Sequence, residues 1–122
     1  MSVGKILLVC AILLSALESS SRAAPTNACK EPEPGSKAAS ILSPPFANVV
    51  TGQGRLQFYS APNIHCPMAG VFVIPKDDLV SYVETDDGWT SVMYVNPRSG
   101  DHVEGWVRSA RLKKTGTAGP SW

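Results

Sequence analysis

The sequence predicts an all-β domain, a small barrel of five to six short antiparallel strands preceded by an irregular, proline-rich leader. Two observations predict this fold class. Between residues 54 and 114, short apolar runs alternate with clusters of Gly, Pro, Asn and Asp at nearly regular intervals, which is typical of a small barrel or sandwich. This segment is long enough for one small core, and closing its sheet removes the edges that short strands otherwise expose.

The first 23 residues have the three parts of a secretory signal. Lys5 supplies a positive charge, an almost unbroken apolar run extends from Ile6 to Leu17, and small residues precede a cleavage site after Ala23. The apolar run is shorter than the roughly 20 residues that a membrane-spanning helix needs. We therefore expect a cleaved signal peptide, a periplasmic or secreted protein, and no stable membrane span after cleavage.

Removal of the signal leaves Cys29 and Cys66 of the three cysteines in the chain. An even count in an oxidising compartment predicts a disulfide, which would tie the leader to the domain. Two free buried thiols are the alternative, and mass spectra of the reduced and non-reduced protein distinguish the two states. Neither CxxC nor HxxxH spacing occurs, so no metal site is predicted, and no cofactor is expected.

The charges of residues 24–122 balance, with nine Lys or Arg against nine Asp or Glu. Phosphate recognition needs an excess of basic side chains, so we expect no nucleic-acid partner. Basic residues gather between Arg108 and Lys114 and acidic ones between Asp77 and Asp87. A solvated surface is the simplest interpretation of both clusters.

Residues 24–53 are interpreted as the leader because five prolines interrupt them. Proline lacks a backbone donor and breaks helices and inner strands alike. Ala38 to Leu42 has room for a single helical turn. The apolar stretch from Phe46 to Val50 could lie extended against the domain.

Five strands are predicted in order along the domain, which spans residues 54–114. They are residues 55–60, 70–74, 79–84, 89–95 and 102–107. Asp86-Asp87-Gly88 predicts a tight hairpin turn in which glycine accepts a positive φ, and Asn96 to Asp101 predicts a longer polar loop. Residues 109–112 predict one helical turn that leads into a short closing strand. Residues 115–122 are expected to fray as a flexible tail.

Three stretches of this domain resemble the bacterial SH3-like domain family. They are residues 55–62 (RLQFYSAP), 87–92 (DGWTSV) and 104–112 (EGWVRSARL). Members of that family open with a strand that runs into a Ser/Ala-x-Pro loop and place Gly-Trp at the start of a later strand. They close on Gly-Trp-Val followed by a helical turn of small residues and a Leu. Cys66 and the length of the loop at 96–101 depart from the family pattern.

The resemblance implies an SH3-like barrel that acts as a binding module. Extracytoplasmic members of the family commonly engage cell-wall peptides or protein partners, often while attached to a wall hydrolase. The expected function is therefore an exported, non-catalytic module that recognises a cell-wall peptide or glycopeptide, or an envelope protein. A small periplasmic inhibitor or immunity protein that blocks a wall-degrading enzyme or a toxin is the alternative, with the loop at 96–101 as its plug. An adaptor within an envelope complex is a third hypothesis.

The sequence contains no recognisable catalytic constellation, so no catalytic residue is proposed. Candidate binding residues are the aromatic side chains at positions where, as the resemblance implies, SH3-like barrels show aromatic surface between two loops, and the polar side chains in or beside the long loop. They are Tyr59, Trp89, Tyr94 and Trp106, with Arg98, Asp101 and His102. Tyr and Trp make good binding anchors because they combine apolar area with a polar tip. The alternative for the aromatic residues is that they pack in the core.

Overall fold

The computed structural model describes residues 26–118, so the predicted signal peptide lies outside the described residues. Within these residues seven strands form one antiparallel sheet, so the predicted all-β class is confirmed and the predicted number of five to six strands is wrong. The strands are β1 (Ala39–Val50), β2 (Leu56–Tyr59), β3 (Pro67–Val73), β4 (Asp78–Thr85), β5 (Trp89–Val95), β6 (His102–Arg108) and β7 (Leu112–Thr117). Short 3₁₀ turns cover Thr26–Cys29 and Ser109–Arg111. Among residues 26–118, no helix is long and apolar enough to cross a membrane.

The strands follow the order β3-β2-β6-β5-β4-β1-β7 across the sheet. Strands β5 and β6 pair continuously, from Trp89 opposite Arg108 to Val95 opposite His102. Strand β2 pairs with β6 at a single position, Tyr59 opposite Trp106. The described strand pairs leave β3 and β7 as the two edges of an open sheet.

One hydrophobic core collects side chains from both ends of the sheet. Its buried members are Val50, Leu56, Phe58, Val73, Leu79, Val92 and Val107. Val73 belongs to the edge strand β3, whereas Val50 belongs to β1, next to the opposite edge. The sheet must therefore curve strongly for these two side chains to share a core.

The predicted irregular leader is wrong for residues 39–50, which form the long strand β1. The register with β4 jumps between Ile41 and Phe46, so that four residues, among them Pro44 and Pro45, oppose a single residue of β4. This bulge places both prolines where the ladder requires no donor from them. The prolines thus interrupt the pairing of β1 without preventing the strand.

A buried polar contact holds the second half of β1 inside the sheet. Asn48 is 1 % exposed, and its Nδ2 donates to the Phe46 carbonyl at 3.1 Å and to Oγ of Ser81, on β4, at 2.9 Å. A buried amide costs free energy unless it is hydrogen-bonded. This contact therefore links β1 to β4 through side chains as well as through the backbone.

The closing strand extends further than the sequence predicted. The predicted helical turn is present as the 3₁₀ turn Ser109–Arg111, and β7 then pairs with β1 from Leu112 opposite Val50 to Thr117 opposite Phe46. The prediction of a fraying tail is therefore wrong for residues 115–117. They form a strand because β1, which the sequence did not predict, supplies their partner.

Candidate functional site

The Cys29–Cys66 disulfide is present, as the sequence predicted. Its Cα atoms are 5.7 Å apart, and it joins the N-terminal segment to the loop between β2 and β3. Nearby, Nδ2 of Asn63 donates to the Ala28 carbonyl at 3.3 Å. We call residues 28–37 the strap; they precede β1 and are exposed apart from the half-buried Pro32.

A second contact fixes the strap to the sheet. The indole Nε1 of Trp106 donates to Oε1 of Glu31 at 2.7 Å. Trp106 is only 3 % exposed, and a buried indole N–H needs an acceptor. The carboxylate of Glu31 supplies this acceptor, so the strap is held both covalently and by a charge-assisted hydrogen bond.

Three of the predicted aromatic residues come together on the outer face of the sheet, opposite the face that carries Phe58 and Val107. Directly opposed residues in an antiparallel pair share a face, and the registers place Tyr59, Trp89 and Trp106 on the same one. The rings of Tyr59 and Trp89 meet edge to face with centroids 4.9 Å apart. The guanidinium of Arg108 lies 4.7 Å from the centroid of the Trp89 ring. We call Tyr59, Trp89 and Trp106 the aromatic cluster.

Burial limits how the aromatic cluster can contact a ligand. Trp89 and Trp106 are each 3 % exposed, whereas Tyr59 is half-buried. Arg108 lies over Trp89, and Glu31 meets the indole edge of Trp106. A ligand on this face would therefore meet the rim of the cluster and not a free indole ring. Ligand binding by these residues stays a prediction.

A groove of about 290 Å³ borders the aromatic cluster and includes one residue of the strap. It is lined by Glu31, Ser60, Met68, Ser91, Glu104 and Gly105. Ser91 lies opposite Trp106 in the pairing of β5 with β6, which ties the groove to the cluster. Its lining combines two carboxylates and two hydroxyls with the apolar side chain of Met68.

Gly105 occupies a position in this groove where no side chain fits. A Cβ there would lie 2.9 Å from a ring carbon of Phe58, 3.0 Å from Sδ of Met68 and 3.1 Å from the carbonyl oxygen of Tyr59. Contacts under 3.0 Å are essentially never found for real Cβ atoms, so any other residue would force the Phe58 ring or the strand itself to shift. The Gly-Trp pair thus allows the close approach that brings Trp106 opposite Tyr59.

Tyr94 does not belong to the aromatic cluster. It packs against the core and contributes to a separate cavity of about 160 Å³. The other residues that line this cavity are Lys76, Asp77, Asp78, Val95 and Pro97. The structure therefore divides the four predicted aromatic binding residues between two places.

The polar candidates lie at the end of the β5–β6 hairpin. Arg98, Asp101 and His102 are all exposed. Nε2 of His102 is 3.9 Å from Oε2 of Glu104, which is the link between this loop and the groove. Of the three, His102 is thus the one that neighbours a residue of the groove lining.

Sequence reasoning missed the contribution of the strap to this site, although a signal was present. Glu31 and Met68 each lie two residues beyond a cysteine of the predicted disulfide, so that bond already limited the distance between them. Glu104 lies two residues from Trp106, and Ser91 two from Trp89, which is the spacing of side chains on one face of a strand.

Among residues 26–118, no group of three or more His, Cys, Asp or Glu is placed to hold a metal ion. Comparisons with models of protein families, with curated proteins and with solved structures find no match to this chain. The strap, the groove and the aromatic cluster are the features that bear on function.

Proposed function

We propose that the chain is an exported, non-catalytic binding module of the SH3-like type that recognises a peptide or glycopeptide of the cell wall, or an envelope protein. The observation that carries this proposal is the groove, because a covalently fastened strap provides part of its lining. A volume of about 290 Å³ is near the lower limit for ligand sites and suits a short peptide segment.

The SH3-like assignment is supported by where the three resembling stretches lie. They fall on β2, on β5, and on β6 with the turn that follows it. These elements contribute Phe58, Val92 and Val107 to the single core. Export is supported by the predicted signal peptide and by the Cys29–Cys66 disulfide, since such bonds persist in oxidising compartments.

Co-sedimentation with purified peptidoglycan, together with calorimetry on soluble wall fragments, tests this function. We expect micromolar affinity, as weak modules with small interfaces commonly show. Ser60→Trp should abolish binding, because a large side chain at this exposed position fills the groove. Ser99→Trp is the matched control, an exposed serine in the loop at 96–101, and it should bind like the wild type. Equal binding by both variants would show that the groove is not the site.

Protein inhibition is the second candidate function, and the loop at 96–101 favours it. The backbone N–H of Asn96 donates to the Asp101 carbonyl at 2.8 Å, and that of Gly100 donates to the Asn96 carbonyl at 2.9 Å. Oδ1 of Asn96 also accepts from the backbone N–H of Arg98 at 2.8 Å. A loop ordered by its own hydrogen bonds loses less entropy on binding than a flexible loop does.

The two serine variants also distinguish these candidates in a pull-down from envelope extract. An inhibitor that acts through this loop should enrich one protein, and Ser99→Trp should release that protein while Ser60→Trp retains it. The opposite pattern would assign the protein partner to the groove.

A further inference from the structure

We infer that the groove selects ligands carrying a protonated amine on an aliphatic stem, such as a lysine-like side chain. This inference rests on the proposed function and names the chemical class of its ligand.

The charges in the lining are of one sign. Glu31 and Glu104 both carry carboxylates, and none of the described residues that line the groove is a Lys, Arg or His. Arg108, an arginine of the same outer face, lies over the ring of Trp89. His102 approaches Glu104 at 3.9 Å, but both side chains are more than half exposed, and such pairs are weak. The groove therefore favours a positively charged occupant.

The position of Glu31 is fixed before any ligand arrives. Trp106 donates to its Oε1 at 2.7 Å, and Cys29, two residues earlier, is bonded to Cys66. A carboxylate has about four acceptor positions, so this bond orients Glu31 without exhausting it. A carboxylate held in place loses less entropy when it binds a cation than a free one does.

The remaining lining fits the rest of an amine ligand. Met68 supplies an apolar wall along which an aliphatic stem can lie, as lysine stems lie on apolar surfaces elsewhere. Ser60 and Ser91 supply hydroxyl oxygens that can accept from the ammonium protons. An ammonium group carries three donors, which matches a groove rich in acceptors.

Three short peptides test the inference on the exported, disulfide-bonded protein. They are acetyl-Ala-Lys-Ala-amide, the same peptide with its lysine Nε-acetylated, and acetyl-Ala-Glu-Ala-amide. We expect the lysine peptide to bind and to shift the NMR signal of the Trp106 indole N–H, since that proton is bonded to Glu31. Acetylation should weaken binding about tenfold, the glutamate peptide should not bind, and added salt should weaken the lysine peptide.

Single charge removals give the matched controls. Glu31→Gln and Glu104→Gln should each weaken the lysine peptide about two- to fivefold, as expected for one partly exposed ion pair. Glu33→Gln removes an exposed strap carboxylate that does not line the groove, and it should leave the affinity unchanged.

The outcomes separate this inference from the function on which it rests. Equal binding of the lysine peptide and its acetylated form, or full affinity after both glutamates are replaced, overturns the amine preference. Binding of wall fragments without binding of the lysine peptide also overturns it, while the proposed function stands. If neither wall fragments nor peptides bind, both proposals fail.

Discussion

The strap and strand β1 differ sharply, although the sequence placed both in one irregular leader. Both contain prolines. The strap is exposed and is held by one disulfide and by hydrogen bonds from Asn63 and Trp106, whereas β1 pairs with β4 on one side and β7 on the other. Three residues of β1 are buried: Ala39, Asn48 and Val50. Proline content therefore does not distinguish the two segments. They differ because β1 contributes buried side chains to the interior and the strap does not.

Different interactions thus hold the two segments in place. Burial and backbone pairing stabilise β1 directly in the folded state. The disulfide stabilises the strap largely by restricting the unfolded chain. Substitutions in β1 should therefore lower the stability of the whole sheet. Substitutions in the strap should instead alter the contacts on the outer face of the sheet.

The largest effect is expected from Val50→Asp, because Val50 is 2 % exposed in the core. An unpaired buried charge should cost at least about 4 kcal/mol, a large part of the stability of a small domain. Urea denaturation followed by circular dichroism measures the loss. Ile41→Asp changes an exposed residue of the same strand and should stay within about 0.5 kcal/mol of the wild type. Similar losses for both variants would contradict the insertion of β1 into the sheet.

Removal of the disulfide should have the next largest effect. Cys29→Ala/Cys66→Ala is expected to lower the free energy of unfolding by about 2–4 kcal/mol, because the bond closes a long loop. Hydrogen exchange should show that protection is lost in the strap while β1 stays protected. Loss of protection in β1 as well would mean that the strap also supports the sheet.

Asn48→Ala should cost about 1–3 kcal/mol, because it removes a buried hydrogen bond to Ser81. The double variant with Ser81→Ala should lose less than the sum of the two single variants, because the two residues share one contact. Ser40→Ala, at an exposed position of β1, serves as the control. Additive losses in the double variant would rule out the contact.

The smallest effect on stability is expected from Glu31→Gln, below about 1 kcal/mol, because glutamine keeps an oxygen acceptor for Trp106 on an exposed strap. Glu31→Ala should instead increase quenching of tryptophan fluorescence by acrylamide and speed exchange of the Trp106 indole proton. Glu33→Ala should change neither quantity. An unchanged indole proton in Glu31→Ala would refute the contact between strap and sheet.

The sequence predicted the strands whose signals are local. The strand expected at residues 89–95 is found as β5 with the same bounds, and the turn before it contains Gly88 at a φ of 97°. Alternating side chains and a turn glycine both act over a few residues, so they can be recognised without knowing the fold. Strand β1 lacked such signals because its pairing with β7 joins distant parts of the chain.

The candidate site was predictable to the same limited extent. The resemblance to SH3-like domains grouped Tyr59, Trp89 and Trp106 with Tyr94; the structure has the first three on one face and Tyr94 elsewhere. The burial of the two tryptophans could not be predicted from the strands alone, because the group that meets the Trp106 indole is Glu31, 75 residues earlier in the chain. Contacts over such distances depend on topology and not on local pattern.

The position of β1 between β4 and β7 has a consequence for how the chain assembles. The hairpins from β4 to β6 join neighbouring segments and can form early, whereas Phe46 to Val50 must wait for β7, which follows all the other described strands in the chain. Until then, this apolar segment presents an unpaired backbone edge, which is a site for association with other chains. Strand β7 replaces that edge with one that carries Lys113 and Lys114. Pairing of β7 with β1 therefore ends the period in which the partly formed sheet is prone to aggregation.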